Sequence, residues 1–193
     1  MFRKFAKILI KICNITCDVE GLENINPDEN YFVVANHRSI ADIPIIASVL
    51  PLNLRIMAKR ELFSVPLLGQ TMWLYDFVLI DRRNRRNAVK TLKNAEKKMK
   101  RFSFLVFPEG TRSRTKHVEK FKSGALWLTE SGCKILPIAL DGAEKIMKTG
   151  SCVINSGHIK MKIFPSTSIM ENETRQELAE RLHKIVSSGI END

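Results

Sequence analysis

The chain has 193 residues, of which 44% are hydrophobic, and its formal net charge is +10 at pH 7. This length predicts one domain that can bury a core without disulfides or structural metals. No run of the sequence approaches the ~20 apolar residues of a membrane-spanning helix. The four cysteines form no Cys-x-x-Cys pair of the kind that zinc sites favour. We therefore expect an uncleaved cytoplasmic protein with reduced thiols and no metal site.

The segment from Met1 to Cys13 predicts an amphipathic helix. At ~100° per residue, Arg3, Lys4, Lys7 and Lys11 fall on one narrow face, and apolar residues occupy the rest. A wide apolar face beside a basic strip is typical of a helix that lies in the plane of a membrane interface. The alternative is a terminal helix that packs on its own domain with its basic face in solvent.

Strands and helices alternate along the rest of the chain. The predicted strands are residues 31–35, 54–58, 77–80, 103–107, 134–140 and 160–164, and the predicted helices are residues 43–50, 85–100, 124–131 and 174–187. Several of the strands are nearly continuous apolar runs, as in strands that helices cover on both faces. The pattern predicts an α/β fold in which helices flank a mixed, largely parallel central sheet.

Positive charge is concentrated between residues 82 and 101, where ten Lys or Arg accompany the single Glu96. Such a surface attracts anionic lipid, an acidic carrier protein or nucleic acid. The N-terminal segment repeats the sign, which favours lipid. Nucleic acid is not expected as a partner, because no binding motif accompanies the charge and the few Tyr and Trp are not interleaved with it. The alternative is a solvated helix whose charges bind nothing specific.

A histidine and an aspartate follow the strand at residues 31–35. His37 lies five positions before Asp42, and Pro44 requires the next helix to begin near this point. The two side chains can meet only if His37 lies on the turn and Asp42 lies in the first helical turn. Asp42 would then fix one imidazole nitrogen and leave the other as a base. The alternative is that Asp42 or Ser39 caps the helix and His37 is a bystander.

A second polar motif runs from Phe107 to Ser113. Arg112 can bind a phosphate with two parallel hydrogen bonds, Thr111 can donate its hydroxyl, and Gly110 lets the backbone approach closely. Glu109 sets a carboxylate beside this anion site, where it could orient Arg112 or accept from a substrate hydroxyl. The alternative is a tight turn after a buried strand, which a proline and a glycine explain without Thr111 and Arg112.

These motifs resemble those of the lysophosphatidate (1-acylglycerol-3-phosphate) acyltransferases and their glycerolipid acyltransferase relatives. The resemblance runs from about residue 30 to residue 141. Its four motifs, in order, are His37 to Asp42; Lys59-Arg60-Glu61-Leu62 with Pro66, Gly69 and Ile80-Asp81-Arg82; Phe107 to Ser113; and Leu136-Pro137-Ile138. The stretch Phe121-Lys122-Ser123-Gly124-Ala125 is similar to the family's Lys-x-Gly-Ala element.

The resemblance implies an O-acyltransferase with a glycerol-3-phosphate acyltransferase-like fold. Residues 21–193 would form the acyltransferase domain, and residues 1–20 a membrane-interfacial segment. His37 and Asp42 would be catalytic, with His37 removing the proton from the sn-2 hydroxyl of a lysophosphatidate. The alkoxide would attack an acyl thioester and give phosphatidate. Because these motifs place no Ser or Cys as a nucleophile, transfer would be direct, without an acyl-enzyme.

The resemblance also implies binding residues. The residues expected at the substrate phosphate are Arg82, Glu109, Gly110, Thr111 and Arg112. Lys59 is a candidate contact to the oxyanion or the acyl donor, and Lys122 and Pro137 are candidate pocket residues. Because Pro137 interrupts an otherwise strong strand, it also predicts an edge or bulge position.

No bound cofactor is expected, and the co-substrate would be acyl-CoA or acyl-acyl-carrier-protein. Expected partners are an anionic membrane surface, the lysophosphatidate and the carrier of the acyl group. The expected location is the cytoplasmic face of the cell membrane, with peripheral or monotopic attachment. Two alternatives stay open. One is another lysolipid acceptor, including a lyso-aminolipid without phosphate, and the other is a catalytically silent basic membrane-surface protein.

Overall fold

The computed structural model describes residues 2–59, 68–75, 77–80, 97–113, 115, 117–148, 151 and 153–190. Its helices are α1 (Phe2–Ile12), α2 (Asp42–Val49), α3 (Leu68–Leu74), α4 (Ala143–Ile146) and α5 (Arg175–Ser187), with 3-10 helices at Leu22–Asn24 and Ser123–Ser131. Its strands are β1 (Ile15–Glu20), β2 (Tyr31–Ala35), β3 (Leu54–Lys59), β4 (Val78–Ile80), β5 (Ser103–Val106), β6 (Lys134–Asp141) and β7 (Gly157–Ile163). Within these ranges no helix is long and apolar enough to cross a bilayer.

The strands form one seven-stranded sheet in the order β1-β7-β6-β2-β5-β3-β4. Every neighbouring pair is parallel except β6 and β7, which are antiparallel. The prediction of a mixed, largely parallel sheet flanked by helices is therefore confirmed. β2 lies at the centre of this order, and all five of its residues are buried.

The two faces of the sheet bury separate apolar clusters. Tyr31, Val33 and Ala35 of β2 pack in the cluster that contains α1 and α2 residues. Phe32 and Val34 point to the other face and pack in the cluster with α5. Side chains alternate between the faces of a strand, so a strand covered on both sides must be apolar at every position. This is why the apolar runs of the sequence predict these strands well.

Some elements differ from the prediction. β1 and α3 are absent from it, and β7 begins at Gly157, three residues before the predicted start. β1 is an edge strand whose residues are alternately more and less buried, so its sequence is polar at every second position. The predicted helix at residues 124–131 is a 3-10 helix. The predicted basic helix at residues 85–100 lies mostly outside the described residues.

Pro137 lies in β6, between β2 and β7, so the edge part of its prediction is wrong. The bulge part fits the structure. The carbonyl of Pro137 accepts from the Phe164 N–H at 3.0 Å, whereas Ile135 pairs with Thr167, one residue out of step with the β6–β7 ladder. The partner segment therefore carries an extra residue beside Pro137, where the proline has no N–H to offer.

Helix α1 packs on the domain through a few residues. Phe2 and Ala6 are buried, and the Phe2 ring lies 4.9 Å from the Tyr75 ring, centroid to centroid. The prediction that residues 1–20 form a separate segment needs correction, because β1 hydrogen-bonds to β7 along its whole length. Within residues 1–20, α1 therefore remains as the candidate interfacial element.

The basic face of α1 is divided in the structure. The Arg3 guanidinium donates to the carbonyls of Ser48 and Val49, at 3.4 and 3.3 Å, where α2 ends. A cation at a helix C-terminus satisfies carbonyls that have no partner within the helix. Lys4, Lys7 and Lys11 remain exposed. Arg3 therefore anchors α1 to α2 and does not belong with the three lysines.

A capping box begins α5 at Thr174. The Thr174 hydroxyl accepts from the Glu177 N–H at 3.3 Å, and the Glu177 carboxylate accepts from the Thr174 N–H at 2.8 Å. We expect Thr174→Ala to lower the free energy of unfolding by about 1 kcal/mol, because α5 loses its cap. Thr174→Ser keeps the hydroxyl and should stay near the unsubstituted protein in urea denaturation. Equal loss in both variants would contradict the cap as the cause.

Candidate active site

The two polar motifs lie on loops that leave neighbouring parallel strands. β2 pairs with β5, and Val34 faces Val106 near the carboxyl ends of both. The loops therefore begin at the same edge of the sheet, where open α/β sheets bind their ligands. The Ser113 N–H donates to the His37 carbonyl at 2.8 Å. The His37 ring stacks on the Phe107 ring with 4.0 Å between centroids. The motifs thus form a single site.

His37 and Asp42 are in direct contact, as the catalytic interpretation of this motif requires. His37 lies on the turn after β2, Asp42 is the first residue of α2, and His37 Nδ1 is 2.8 Å from Asp42 Oδ2. Asp42 is 1% exposed and the His37 side chain 16% exposed. A carboxylate accepts hydrogen bonds, so it fixes the proton on Nδ1 and leaves Nε2 as the basic nitrogen. Nε2 can then take a proton from a hydroxyl group.

The capping alternative does not describe Asp42, although the Ser39 hydroxyl does accept from the Ala41 N–H at 3.2 Å where the turn leads into α2. The residue that precedes α2 is Ala41, and no side chain caps the helix there. Asp42 Oδ2 instead accepts from the backbone N–H groups of Arg38 and Ser39, at 2.8 and 2.9 Å, besides His37 Nδ1. The carboxylate therefore organises the whole turn around the imidazole.

Three further polar residues hold this turn; sequence reasoning gave Asn36 and Arg38 no role and considered Ser39 only as a helix cap. The Asn36 side chain exchanges two hydrogen bonds with the backbone of Leu140, each 2.8 Å long. The buried Arg38 donates to Asp141 at 3.2 Å, and the Ser39 hydroxyl donates to the Met147 carbonyl at 2.8 Å. The available signal is a run of polar residues directly after a fully apolar strand.

Glu109 faces into the protein. It is 3% exposed, its Oε1 accepts from the His37 N–H at 2.6 Å, and its Oε2 accepts from the Glu119 N–H at 3.1 Å. Burial raises the pKa of this carboxyl to about 7, although both hydrogen bonds act to lower it. The predicted phosphate contact of Glu109 needs correction, because both oxygens are engaged by backbone N–H groups of its own protein.

The rest of the predicted anion site lies at the surface. Gly110 has φ near +80°, a left-handed conformation that favours glycine, and its N–H donates to the Phe107 carbonyl. A tight turn is therefore present. Thr111 is exposed and Arg112 half-buried. Within the described part of the chain, the Arg112 guanidinium has no hydrogen bond or ion pair. This cation beside the His37 turn can therefore bind an anionic ligand.

The other predicted site residues are not all brought to this place. Lys122 is exposed and directly precedes the 3-10 helix, and its N–H donates to the Pro108 carbonyl at 2.9 Å. Pro137 is buried in β6, and by alternation it faces α5, whereas α2 covers the other face. The Lys59 side chain and all of Arg82 lie outside the described part of the structure. Among the described residues, no cluster of His, Cys, Asp and Glu could hold a metal ion.

Comparison with known proteins assigns the chain to a family. The sequence pattern of the Acyltransferase family matches residues 16–141. The chain is 33% identical over 174 residues to the chloroplastic 1-acyl-sn-glycerol-3-phosphate acyltransferase LPAT1 of Arabidopsis thaliana, and the match covers 86% of this chain and 49% of the relative. It is 33% identical over 189 residues to the 1-acyl-sn-glycerol-3-phosphate acyltransferase of Saccharomyces cerevisiae, covering 95% and 61%.

A solved structure is similar over nearly the whole chain. The 1-acyl-sn-glycerophosphate acyltransferase PlsC from Thermotoga maritima superposes with a TM-score of 0.84 at 30% identity, covering 98% of this chain and 76% of that one. The chain spans about half the length of the plant relative and about three fifths of the yeast one. From its sequence and its fold together, the chain belongs to the 1-acyl-sn-glycerol-3-phosphate acyltransferase family.

Proposed function

We propose that the protein is an O-acyltransferase that moves a fatty acyl group from an acyl thioester to the sn-2 hydroxyl of 1-acylglycerol-3-phosphate, giving phosphatidate. The observation that carries this proposal is the bond between His37 Nδ1 and Asp42 Oδ2, 2.8 Å long, at the mouth of the β2–α2 turn. It sets a basic nitrogen at the carboxyl edge of the sheet, beside the half-buried Arg112.

In the proposed reaction, His37 Nε2 takes the proton of the sn-2 hydroxyl as its oxygen attacks the thioester carbonyl. Asp42 stabilises the imidazolium that forms. The tetrahedral intermediate then collapses, the carbon–sulfur bond breaks, and the imidazolium proton goes to the departing thiolate. No residue of the protein is acylated. The acyl group passes directly from its carrier, acyl-CoA or acyl-acyl-carrier-protein, to the acceptor.

The acceptor phosphate would bind beside this base. Arg112 would hold it with paired hydrogen bonds, Thr111 would add its hydroxyl, and Arg82 would be a second cation. Lys59 is proposed as a contact to the oxyanion or the donor, and Lys122 as a further cation near the phosphate. The described side chains of this set, Thr111, Arg112 and Lys122, lie on the loop after β5 and are half-buried or exposed. A charged head group can therefore reach them.

The proposed working surface is an anionic bilayer, met at the cytoplasmic face. Three apolar residues of α1 point outward, with Phe5 44%, Ile8 60% and Ile12 77% exposed. The Phe5 ring lies 5.8 Å from the Tyr75 ring, and Tyr75 directly follows the exposed residues Trp73 and Leu74 of α3. Lys4, Lys7 and Lys11 of the same helix supply positive charge beside these exposed apolar residues. An apolar face next to lysines fits a lipid interface with anionic head groups.

His37→Ala should abolish acyl transfer from acyl-CoA or acyl-acyl-carrier-protein to lysophosphatidate. Loss of a positioned general base typically lowers turnover by about 10²–10⁴-fold. The measurement is product formation by purified protein with a panel of lysolipids, with and without phosphate. His158→Ala is the matched control, since His158 is exposed and its partners, Thr16 and Asp18, lie on edge strand β1. Near-normal turnover of the His37 variant would remove this residue from the mechanism. No transfer by the unsubstituted protein with any acceptor would favour the silent-protein alternative.

Arg112→Ala should weaken use of the phosphorylated acceptor far more than use of the acyl donor. A hydrogen-bonded charge contributes about 1.5–3 kcal/mol, so the KM for lysophosphatidate should rise about 10- to 100-fold. The measurement is a pair of KM values, one for each substrate. Lys120→Ala, which removes an exposed cation of the same loop, serves as the control. A selective rise in the KM for acyl thioester would show that Arg112 binds the acyl donor instead.

Substitution of Phe5, Ile8 and Ile12 by serine should weaken binding to phosphatidylglycerol vesicles by at least about 10-fold, since each buried apolar side chain contributes about 1.5–3 kcal/mol. Deletion of α1 is a poorer test, because Phe2 and Ala6 belong to the core. Activity on lysolipid dispersed in detergent should survive. Met170→Ser is the control, at a side chain 58% exposed in another loop. Unchanged sedimentation of the triple variant with vesicles would mean that α1 only packs on its own domain.

A further inference from the structure

We propose that Glu109 is a positioning residue, whose ionised carboxylate fixes the His37 peptide against the loop that carries Arg112. The base and the acceptor-binding loop would then form one rigid unit. This inference rests on the proposed function for its kinetic consequences, and on the contacts of Glu109 for its geometry.

Both backbone groups of His37, its N–H and its carbonyl, are held by the motif from Phe107 to Ser113. Its N–H donates to Glu109 Oε1 at 2.6 Å, and its carbonyl accepts from the Ser113 N–H at 2.8 Å. The imidazole stacks on the Phe107 ring, with the two planes 17° apart. The three residues that make these contacts all belong to the segment from Phe107 to Ser113. The motif that contains the proposed anion site therefore also positions the base, His37.

The second oxygen of Glu109 extends this unit. Oε2 accepts from the Glu119 N–H at 3.1 Å, ten residues further along the chain. Near the end of the same loop, the Lys122 N–H donates to the carbonyl of Pro108, the neighbour of Glu109. The carboxylate thus closes the loop that contains Arg112 and joins it to the turn that contains His37. Movement of either part would break one of the two hydrogen bonds of the carboxylate.

Only the ionised carboxylate suits both donors. Each of its oxygens faces a backbone N–H, and a carboxylate accepts at both oxygens. We call the two hydrogen bonds from the His37 and Glu119 N–H groups to the Glu109 carboxylate the clamp. A protonated carboxyl places a hydroxyl against one of these N–H groups and weakens the clamp. Burial raises the pKa of Glu109 to about 7; the N–H groups of His37 and Glu119 and the charge on His37 lower it, and the charge on Asp42 raises it. The clamp should therefore loosen as the pH falls below about 7.

The kinetic test compares Glu109→Gln with Glu119→Gln. The glutamine of the first variant would turn an amino group toward one N–H donor, so one bond of the clamp is lost. Glu119 lies on the same loop and its side chain is exposed. Only the backbone N–H of Glu119 takes part in the clamp. Misplacement of a base by about 1 Å can lower the rate about 100-fold. We expect kcat of Glu109→Gln to fall about 10- to 100-fold, with KM of both substrates changed less than about threefold.

The pH profile separates positioning from simple support of the fold. In the unsubstituted protein, protonation of the Glu109 carboxyl below about pH 7 should contribute to the acid limb of the profile. The acid limb of Glu109→Gln should lose this contribution and become shallower, and that of Glu119→Gln should keep the steeper form. A large rise in the acceptor KM at constant kcat would overturn the inference and make Glu109 a substrate contact. Unchanged kcat and profile would overturn it as well.

A measurement without turnover tests the clamp directly. In the unsubstituted protein, the backbone amide protons of His37 and Glu119 should shift downfield together as the carboxyl ionises, with one midpoint near pH 7. Amide NMR spectra across a pH series record this shift. Because they use the unsubstituted protein, they test the two hydrogen bonds of Glu109 even if the Glu109→Gln variant does not fold. Independent titration of the two amides, or none, would overturn the clamp. Joint titration in a protein without acyl transfer would support the clamp and reject the proposed function.

Discussion

The parallel pairing of β2 with β5 is the constraint on which the site depends. Because both strands end at the same edge, the turn after one lies against the loop after the other, although 72 positions separate His37 from Glu109 in sequence. Every described contact between the motifs follows from this adjacency: the ring stacking on Phe107, the Glu109 clamp and the Ser113 bond. The strands themselves are fixed by burial on both faces, so the core determines how closely base and loop approach.

Two buried carboxylates lie within this site, and burial of a charge is unfavourable unless hydrogen bonds compensate for it. Asp42 accepts three bonds on one oxygen, and Glu109 accepts one on each oxygen. These bonds can be made only in one arrangement of the His37 turn, so the bonds that offset part of the cost of desolvation also confer rigidity. Arg112 contrasts with both, because it is half-buried and has no bond to the described residues. The base is preorganised by the protein, whereas the cation is open to an anionic ligand.

Helix α1 combines two sets of residues that its amphipathic pattern does not separate. Phe2 and Ala6 are taken into the core, and Arg3 closes the end of α2. Phe5, Ile8 and Ile12 stay outside with three lysines. An apolar sector wider than a core-facing stripe leaves apolar residues uncovered after packing, so one helix can pack on its domain and still present an apolar face. The division follows from where α2 and Tyr75 lie, which the sequence of α1 does not contain.

Features that depend on neighbours along the chain can be read from the amino-acid sequence alone. These are the apolar run of β2, the capping box at Thr174, the turn at Gly110, and the meeting of His37 with Asp42 across the start of a helix. Features that depend on which strands are neighbours emerge only when the sheet assembles. β1 has an ordinary alternating sequence and is a strand because β7 pairs with it. The sequence places Glu109 beside Arg112 as an anion-site residue, yet its carboxylate turns inward. There it accepts from the His37 N–H, which the pairing of β2 with β5 brings beside it, and from the Glu119 N–H of its own loop.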